Sequence, residues 1–328
     1  MNIHKNIIVT GALGFVGSNL IKGLIREFGH LDLNILALDN CSTGNPDNLN
    51  SVQYDGLHIV HVDLSDFNSV RDMHYVYDTS LYTLCFHFAA SIGVKSILEN
   101  PKLTFNNSKN INDNLITLLS ESTKIIYSST SEVYGESEIL GSDEYDHLKI
   151  LNTHSNRSTY STSKLFTEHQ LRCNFDNVCI VRFFNIVGET QKPDYGHVIP
   201  NFILNAKLDK DIIVHDDGMS LRSYCYIDDA VNMLCGLIYN YVEYEEIYNI
   251  GCEENVITTL RLADKIIKLT NSKSKIVHIP FKEMYPNGHQ IYIRHPKTER
   301  IDDLMNKLGR NKPSTSMYDI IKNISKVI

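Results

Sequence analysis

Thr10-Gly11-Ala12-Leu13-Gly14-Phe15-Val16-Gly17 follows the apolar run Ile7-Ile8-Val9. It opens a segment in which Phe15, Val16, Leu20, Ile21, Leu24 and Ile25 recur at helical spacing. A buried strand, a glycine turn and a helix, in that order, form the setting a dinucleotide fingerprint requires. Gly11 lets the chain turn sharply off the strand, Gly14 lets a pyrophosphate approach the backbone, and Gly17 lets the helix pack closely on the sheet. Free N–H groups at the helix start, those of Phe15 and Val16, then face the phosphates.

A second apolar run, Leu33 to Leu38, ends in Asp39, roughly 20 residues past the last glycine. A carboxylate there hydrogen-bonds an adenosine ribose and repels a 2′-phosphate, so NAD is expected rather than NADP. The alternative for Asp39 is a turn residue ahead of Asn40. Further along, Leu57 to Val62, Tyr82 to Phe86, Lys124 to Ser128 and Val178 to Phe183 read as strands. Helices are expected at Pro101 to Ser120 and Thr159 to Cys173, and a polar loop of about 20 residues after Gly135 is long enough to be functional or mobile. Repeated β-α units predict an α/β fold with a doubly wound parallel, Rossmann-like sheet. The small residues after Phe86 (His87-Phe88-Ala89-Ala90) admit a nicotinamide ribose or, equally, tight strand–helix packing.

Past Phe184 the elements shorten. A helix near Val198 to Leu208, a strand at Asp211 to Val214, and helices near Asp228 to Tyr239, Thr258 to Leu269 and Thr298 to Leu308 are expected. The division predicted is a cofactor domain over 1–184 and a smaller C-terminal α/β substrate domain over 185–328, with part of about 227–250 returning to the main sheet.

Composition narrows the class. The 328 residues suffice for one large or two ordinary domains, and 42% apolar with 21% charged residues marks a globular chain. A net charge of -8 argues against a non-specific nucleic-acid binder. No apolar run reaches the roughly 18 residues of a membrane span, and no signal-peptide pattern opens the chain. The 7 cysteines are scattered without a C-x-x-C pair, as expected of reduced thiols in a cytoplasmic protein without a metal site.

Tyr160-Ser161-Thr162-Ser163-Lys164 places a phenol and an ammonium on one face of a helix. An ammonium and a cationic nicotinamide would stabilise phenolate, letting Tyr160 take a proton from a sugar hydroxyl as hydride leaves its carbon. Y-x-x-x-K alone is common on helix surfaces. Thr130, at a strand's C-terminal end where open α/β sheets bind ligands, adds a hydroxyl for the same sugar oxygen.

With these residues in place, the chain resembles the extended short-chain dehydrogenases/reductases, in particular the NAD-dependent nucleotide-sugar epimerase/dehydratase group. The resemblance runs nearly end to end: TGALGFVG at 10–17, LDN at 38–40, VDL at 62–64, HFAA at 87–90, SSTSEVYG at 128–135, YSTSK at 160–164, RFFNIVG at 182–188, VIPNFIL at 198–204 and LRSYCYIDDAV at 221–231. It implies Thr130, Tyr160 and Lys164 as catalytic, with Lys164 also on the nicotinamide ribose. Asn40, Ser42, Gly44, Asp63, Leu64, Phe88, Ala89 and Ala90 join the glycines and Asp39 around NAD. It also implies a nucleoside-diphosphate sugar, often a UDP-sugar, contacted by Ser131 and Asn185 and gripped through its diphosphate by Arg222 and Arg300. Family members commonly pair the helices after Pro101 and Thr159 into a homodimer, and Leu115, Leu118, Leu119, Leu165 and Phe166 give those helices apolar residues on more than one side.

The reaction depends on Glu132. The T-S-E triplet looks like that of GDP-mannose 4,6-dehydratases and UDP-glucuronate decarboxylases, whereas 4-epimerases carry small hydroxyl residues there. The expectation is a 4,6-dehydratase in which Glu132 removes the C5 proton after C4 oxidation. A UDP-sugar 4-epimerase, a UDP-glucuronate decarboxylase and a non-catalytic dinucleotide sensor are the alternatives. Two stretches depart from the family pattern: Gly188-Glu189-Thr190 in place of Gly-Pro-Arg, and Asn107 to Asn112 in place of N-x-x-G-T.

Overall fold

The computed structural model describes residues 3–90, 99–136, 140–150, 154, 156, 158–191, 197–239, 246–284 and 290–328. Of the predicted polar loop after Gly135, residues 137–139, 151–153, 155 and 157 lie outside them. The strands are β1 (Asn6–Thr10), β2 (Asn34–Asp39), β3 (Leu57–His61), β4 (Leu84–His87), β5 (Lys124–Thr130), β6 (Val178–Phe183), β7 (Ile186–Val187), β8 (Ile212–His215), β9 (Leu221–Ser223), β10 (Cys225–Tyr226), β11 (Ile247–Ile250), β12 (Val256–Thr258), β13 (Ile276–Ile279) and β14 (Ile293–Arg294). The helices used below are α1 (Phe15–Phe28), α2 (Phe67–Val76), α3 (Pro101–Leu118), α4 (Ser158–Asn174), α5 (Val198–Lys207), α6 (Ile227–Gly236), α7 (Thr259–Thr270), α8 (Glu299–Lys307) and α9 (Met317–Val327).

Seven strands form one parallel sheet in the order β11-β6-β5-β4-β1-β2-β3. Strand alternation divides the core between its faces. Ile7, Val9, Ile35, Ala37, Phe86 and Ile126 join Leu20, Ile21 and Leu24 of α1 and Val231 and Leu234 of α6. Ile8, Leu36, Leu38, Cys85, Ile125 and Tyr127 join Val70 and Met73 of α2, Ile111 and Leu115 of α3 and Leu171 of α4 on the other face. Helices therefore cover both sides, as a fully parallel sheet requires. The expected doubly wound α/β architecture is present, with β11 as an edge strand beside β6.

β1 pairs with β2 on one side and β4 on the other, so the strand order reverses there and opens a crevice at the carboxyl ends. Thr10, Asp39, His87 and Thr130 all end their strands at that edge. The smaller C-terminal part contributes a three-stranded sheet, β12-β9-β14, and a β13–β8 pair. Its register sets Arg294 directly beside Arg222. Among the described residues no helix is long and apolar enough to cross a membrane.

Candidate active site

The glycine turn has the shape of a phosphate cradle. Gly11 sits at φ +64, and a Cβ there would stand 2.9 Å from the backbone of Phe88 and Ala89. A Cβ on Gly17 would collide with the Gly11 carbonyl. Gly14 caps α1 without a side chain, leaving the first-turn amides of Phe15 and Val16 without intrahelical acceptors. Asp39 is oriented by two backbone donors, Leu13 N–H at 2.9 Å and Cys41 N–H at 2.8 Å, and Gly44 packs against its carboxylate. Asn40 holds the following turn by accepting the Ser42 N–H at 3.0 Å. Asp63 accepts the N–H and hydroxyl of Ser65, while buried Leu64 accepts the Asn114 amide at its carbonyl. Thr10 ties β1 to β4: its hydroxyl accepts the N–H groups of Phe88 and Ala89 at 3.1 and 3.0 Å and meets His87 Nδ1 at 2.8 Å. Ala90 follows Ala89, three residues past the end of β4. The backbone geometry thus fits a dinucleotide.

Thr130 ends β5 and starts a 3₁₀ turn, Ser131–Tyr134, by accepting the Glu132 N–H at 3.3 Å. Its hydroxyl lies near the phenol of Tyr160 and acts to lower that phenol's pKa. One turn along α4, the Lys164 ammonium donates to the Ser128 carbonyl at 2.7 Å and lies 4.9 Å from the centre of the Tyr127 ring. Burial pushes the Lys164 amine down to about 7, with Glu168 acting upward. Tyr160 moves the other way: burial and the Glu132 carboxylate raise it, and the Thr130 hydroxyl and Arg294 offset that only in part. The protein groups that oppose the rise are Thr130 and Arg294, not the ammonium of Lys164 that the helix spacing suggested.

Arg294 was not singled out in the sequence. Its Nη2 donates to Glu132 Oε1 at 2.6 Å, with both side chains largely buried. It also lines a cavity of about 270 Å³ bordered by Asn185, Gln191, Arg222 and Tyr224. Asn185 holds a left-handed backbone (φ +40) and donates its side-chain amide to the Ser223 carbonyl at 2.8 Å. A non-glycine residue there stores local strain, as ligand-contacting positions often do. Ser131 is buried in the 3₁₀ turn. Arg222 reaches the cavity wall, but it donates to the carbonyls of Leu221 at 2.8 Å, Tyr292 at 3.0 Å and Ile291 at 2.5 Å. Arg300 stands elsewhere, ion-paired with Glu246 with its guanidinium over the rings of Tyr145 and Tyr248. The signal for Arg294 was a two-residue strand at the end of the apolar alternation Ile291-Tyr292-Ile293, too short to stand out.

The chain belongs to the NAD dependent epimerase/dehydratase family, whose model matches residues 7–251. It is 32% identical over 312 residues to a UDP-N-acetyl-α-D-glucosaminuronate decarboxylase of Bacillus cytotoxicus, covering 92% of each chain. It is 31% identical over 281 residues to a dTDP-D-glucose 4,6-dehydratase of Dictyostelium discoideum, covering 81% of this chain and 62% of that one. In fold it resembles the UDP-N-acetylglucosamine 4-epimerase of Methanobrevibacter ruminantium, solved with UDP-N-acetylmuramic acid. The TM-score is 0.81 at 22% identity, over 100% of this chain and 98% of that one. NAD is the cofactor, and the chain is an enzyme of the nucleotide-sugar decarboxylase, dehydratase and epimerase group.

Proposed function

We propose that the protein decarboxylates a UDP-hexuronate through oxidation at C4, with the nucleotide sugar held mainly by residues after Phe184. The observation that carries this reading is the Glu132–Arg294 pair beside Thr130 and Tyr160. A carboxylate tied to a guanidinium takes up a proton less readily than a free one. Elimination of water needs such a base at C5; loss of CO₂ does not. The similarity to the Bacillus cytotoxicus decarboxylase supports the same choice.

Bound NAD would supply the hydride acceptor for C4 and the hydride donor at the end of the cycle. Tyr160, beside Thr130, takes the O4 proton. The resulting 4-ketone makes the C6 carboxylate a β-keto acid, whose C5–C6 bond breaks to give CO₂ and leaves the electron pair as an enolate on O4. Thr130 and Tyr160 donate hydrogen bonds to that oxygen, and Arg294 compensates the negative charge of Glu132 while the uronate carboxylate enters. A proton then adds at C5, and Tyr160 returns its proton to O4 as C4 is reduced. A second reading, 4,6-dehydration, follows if bound substrate draws Arg294 away and frees Glu132 as the C5 base.

Incubation with UDP-glucuronate, UDP-N-acetylglucosaminuronate, UDP-glucose, UDP-N-acetylglucosamine and dTDP-glucose, read by product mass, separates the reactions. CO₂ loss from a uronate is expected; water loss from a neutral sugar, or its conversion to a chromatographically distinct isomer of the same mass, overturns the reading. The enzyme is also expected to act as a homodimer through α3 and α4. Leu115, Leu118 and Leu119 are taken up by the core, but Leu103 and Phe166 remain exposed, with Phe166 packed beside Phe105. Sedimentation showing only monomer at micromolar concentration would count against it.

A further inference from the structure

Behind the site lies a buried polar cluster that the chemistry above does not use. Arg182 of β6 is among the largest sealed side chains of the protein. Its Nε and Nη2 donate to the two carboxylate oxygens of Glu168 at 3.2 and 2.8 Å. Its Nη1 donates to the Tyr134 hydroxyl at 3.1 Å and the Glu144 carbonyl at 3.4 Å. The Ser129 hydroxyl donates to the same Glu168 carboxylate. Tyr134 in turn donates to Asn249 Oδ1 at 2.7 Å, and the Asn249 side chain donates to the carbonyls of Ser142 at 2.9 Å and Lys297 at 3.1 Å. Removing two charges from water costs more than a well-packed apolar pair would, so stability alone does not account for such a cluster.

Its arms end beside the reacting groups. Ser129 precedes Thr130. Tyr134 closes the 3₁₀ turn that carries Glu132. Glu168 stands one helical turn beyond Lys164, on the same face of α4. Ser142 bridges Pro296, fixing the segment that follows Arg294. Lys164 is faced by His87 from β4, by Tyr127 and the Ser128 carbonyl from β5, and by Tyr160 and Glu168 from α4. Of these, Glu168 is the negatively charged group and favours a charged amine, as the Ser128 carbonyl and the Tyr127 ring face also do, whereas burial holds His87 down at about 4 and so neutral.

We propose that Glu168 and Arg182 are positioning residues: their sealed ion pair sets Thr130, Glu132, Lys164 and Arg294 in register, and Glu168 supplies the counter-charge for Lys164. The proposal rests on C4 oxidation by Tyr160 and Lys164, and it holds whichever reaction follows.

The test uses NAD-loaded protein labelled with ¹³Cε-lysine, with the Lys164 resonance assigned through Lys164→Arg. In Glu168→Gln the Lys164 titration midpoint is expected to fall by about one pH unit or more. The alkaline limb of NADH formation with UDP-glucuronate should move with it. Ser129→Ala, which removes one hydrogen bond to Glu168 and keeps the ion pair, should shift both by less and lower kcat with little change in KM. An unmoved Lys164 midpoint in folded Glu168→Gln overturns the proposal. If that variant does not fold, an unmoved midpoint with unchanged kcat in Ser129→Ala overturns it. A shifted midpoint in a protein that releases no CO₂ keeps the positioning role and retires the decarboxylase reading. CO₂ release with no shift does the reverse.

Discussion

Arg182–Glu168 and Arg294–Glu132 join the same two chemical groups at 2.8 and 2.6 Å, yet they sit in different worlds. The first is closed off between β6 and α4, and every partner of its guanidinium named above is protein. The second borders a cavity that also holds Arg222 and Asn185. A sealed pair can only hold neighbouring residues in place. A pair at a cavity wall can exchange its partner when a charged ligand arrives. The contrast separates positioning from recognition within one buried site, and four measurements test it.

Tyr160→Phe leaves both pairs intact and removes the proposed proton acceptor. NADH formation should fall by about 10²–10⁴-fold while urea stability stays near wild type; equal rates would move the proton chemistry elsewhere, to one of the pairs. Next in size is the sealed pair. Glu168→Ala strands a buried guanidinium and should cost about 3–5 kcal/mol in urea unfolding. The double variant Arg182→Met, Glu168→Met should regain most of that stability without regaining activity. If activity also returns, the pair positions nothing.

Arg294→Gln probes the cavity pair. Loss of a charge-assisted contact is worth about 1.5–3 kcal/mol, so KM for UDP-glucuronate should rise by roughly 10- to 100-fold, with little change in stability. A large fall in stability instead would make this pair structural as well. The smallest effect concerns a buried cluster without an ion pair. His87 joins Thr10 at 2.8 Å and Asn112 at 2.9 Å, and Asn112 donates to Thr167 at 2.7 Å. Burial holds His87 at about 4, below its ordinary 6.5, so the unfolded chain binds the extra proton. Stability from this group is full above pH 6.5 and is lost as pH falls towards 4. Between pH 7 and pH 5 it should drop by about 2 kcal/mol. His87→Gln should flatten that slope in urea titrations at the two pH values, and an unchanged slope would place the proton uptake on another group.

Legibility followed locality. The strands of the main sheet before β11, α1 and the Tyr160–Lys164 face were readable because their periods of 2 and 3.6 lie within a few residues. α2 escaped notice, although Asp66 caps it by accepting the N–H groups of Asn68 and Ser69, because only Val70 and Met73 of it are buried. α9 was missed as well, although Met317, Ile320, Ile321 and Ile324 give it a buried stripe. The departure at Asn107 to Asn112 acquired a meaning only in three dimensions, where Asn112 links His87 to Thr167. Gly188-Glu189-Thr190 acquired one too: Glu189 accepts the Tyr226 hydroxyl and Thr190 accepts the Asn19 amide at 3.2 Å.

By itself the sequence determined the parallel sheet, the glycine cradle and its acid at Asp39, and the T-S-E and Y-x-x-x-K groups at the carboxyl edge. Backbone shape and helix faces are set by neighbours in the chain. Only the tertiary structure decided how the charges pair. Glu132 meets Arg294 across 162 residues. Arg222 is directed at backbone carbonyls, Arg300 is taken by Glu246, and Arg182 is sealed against Glu168. Type and spacing give an arginine its charge and reach; which carboxylate or carbonyl it meets depends on the register of strands that are adjacent only after folding.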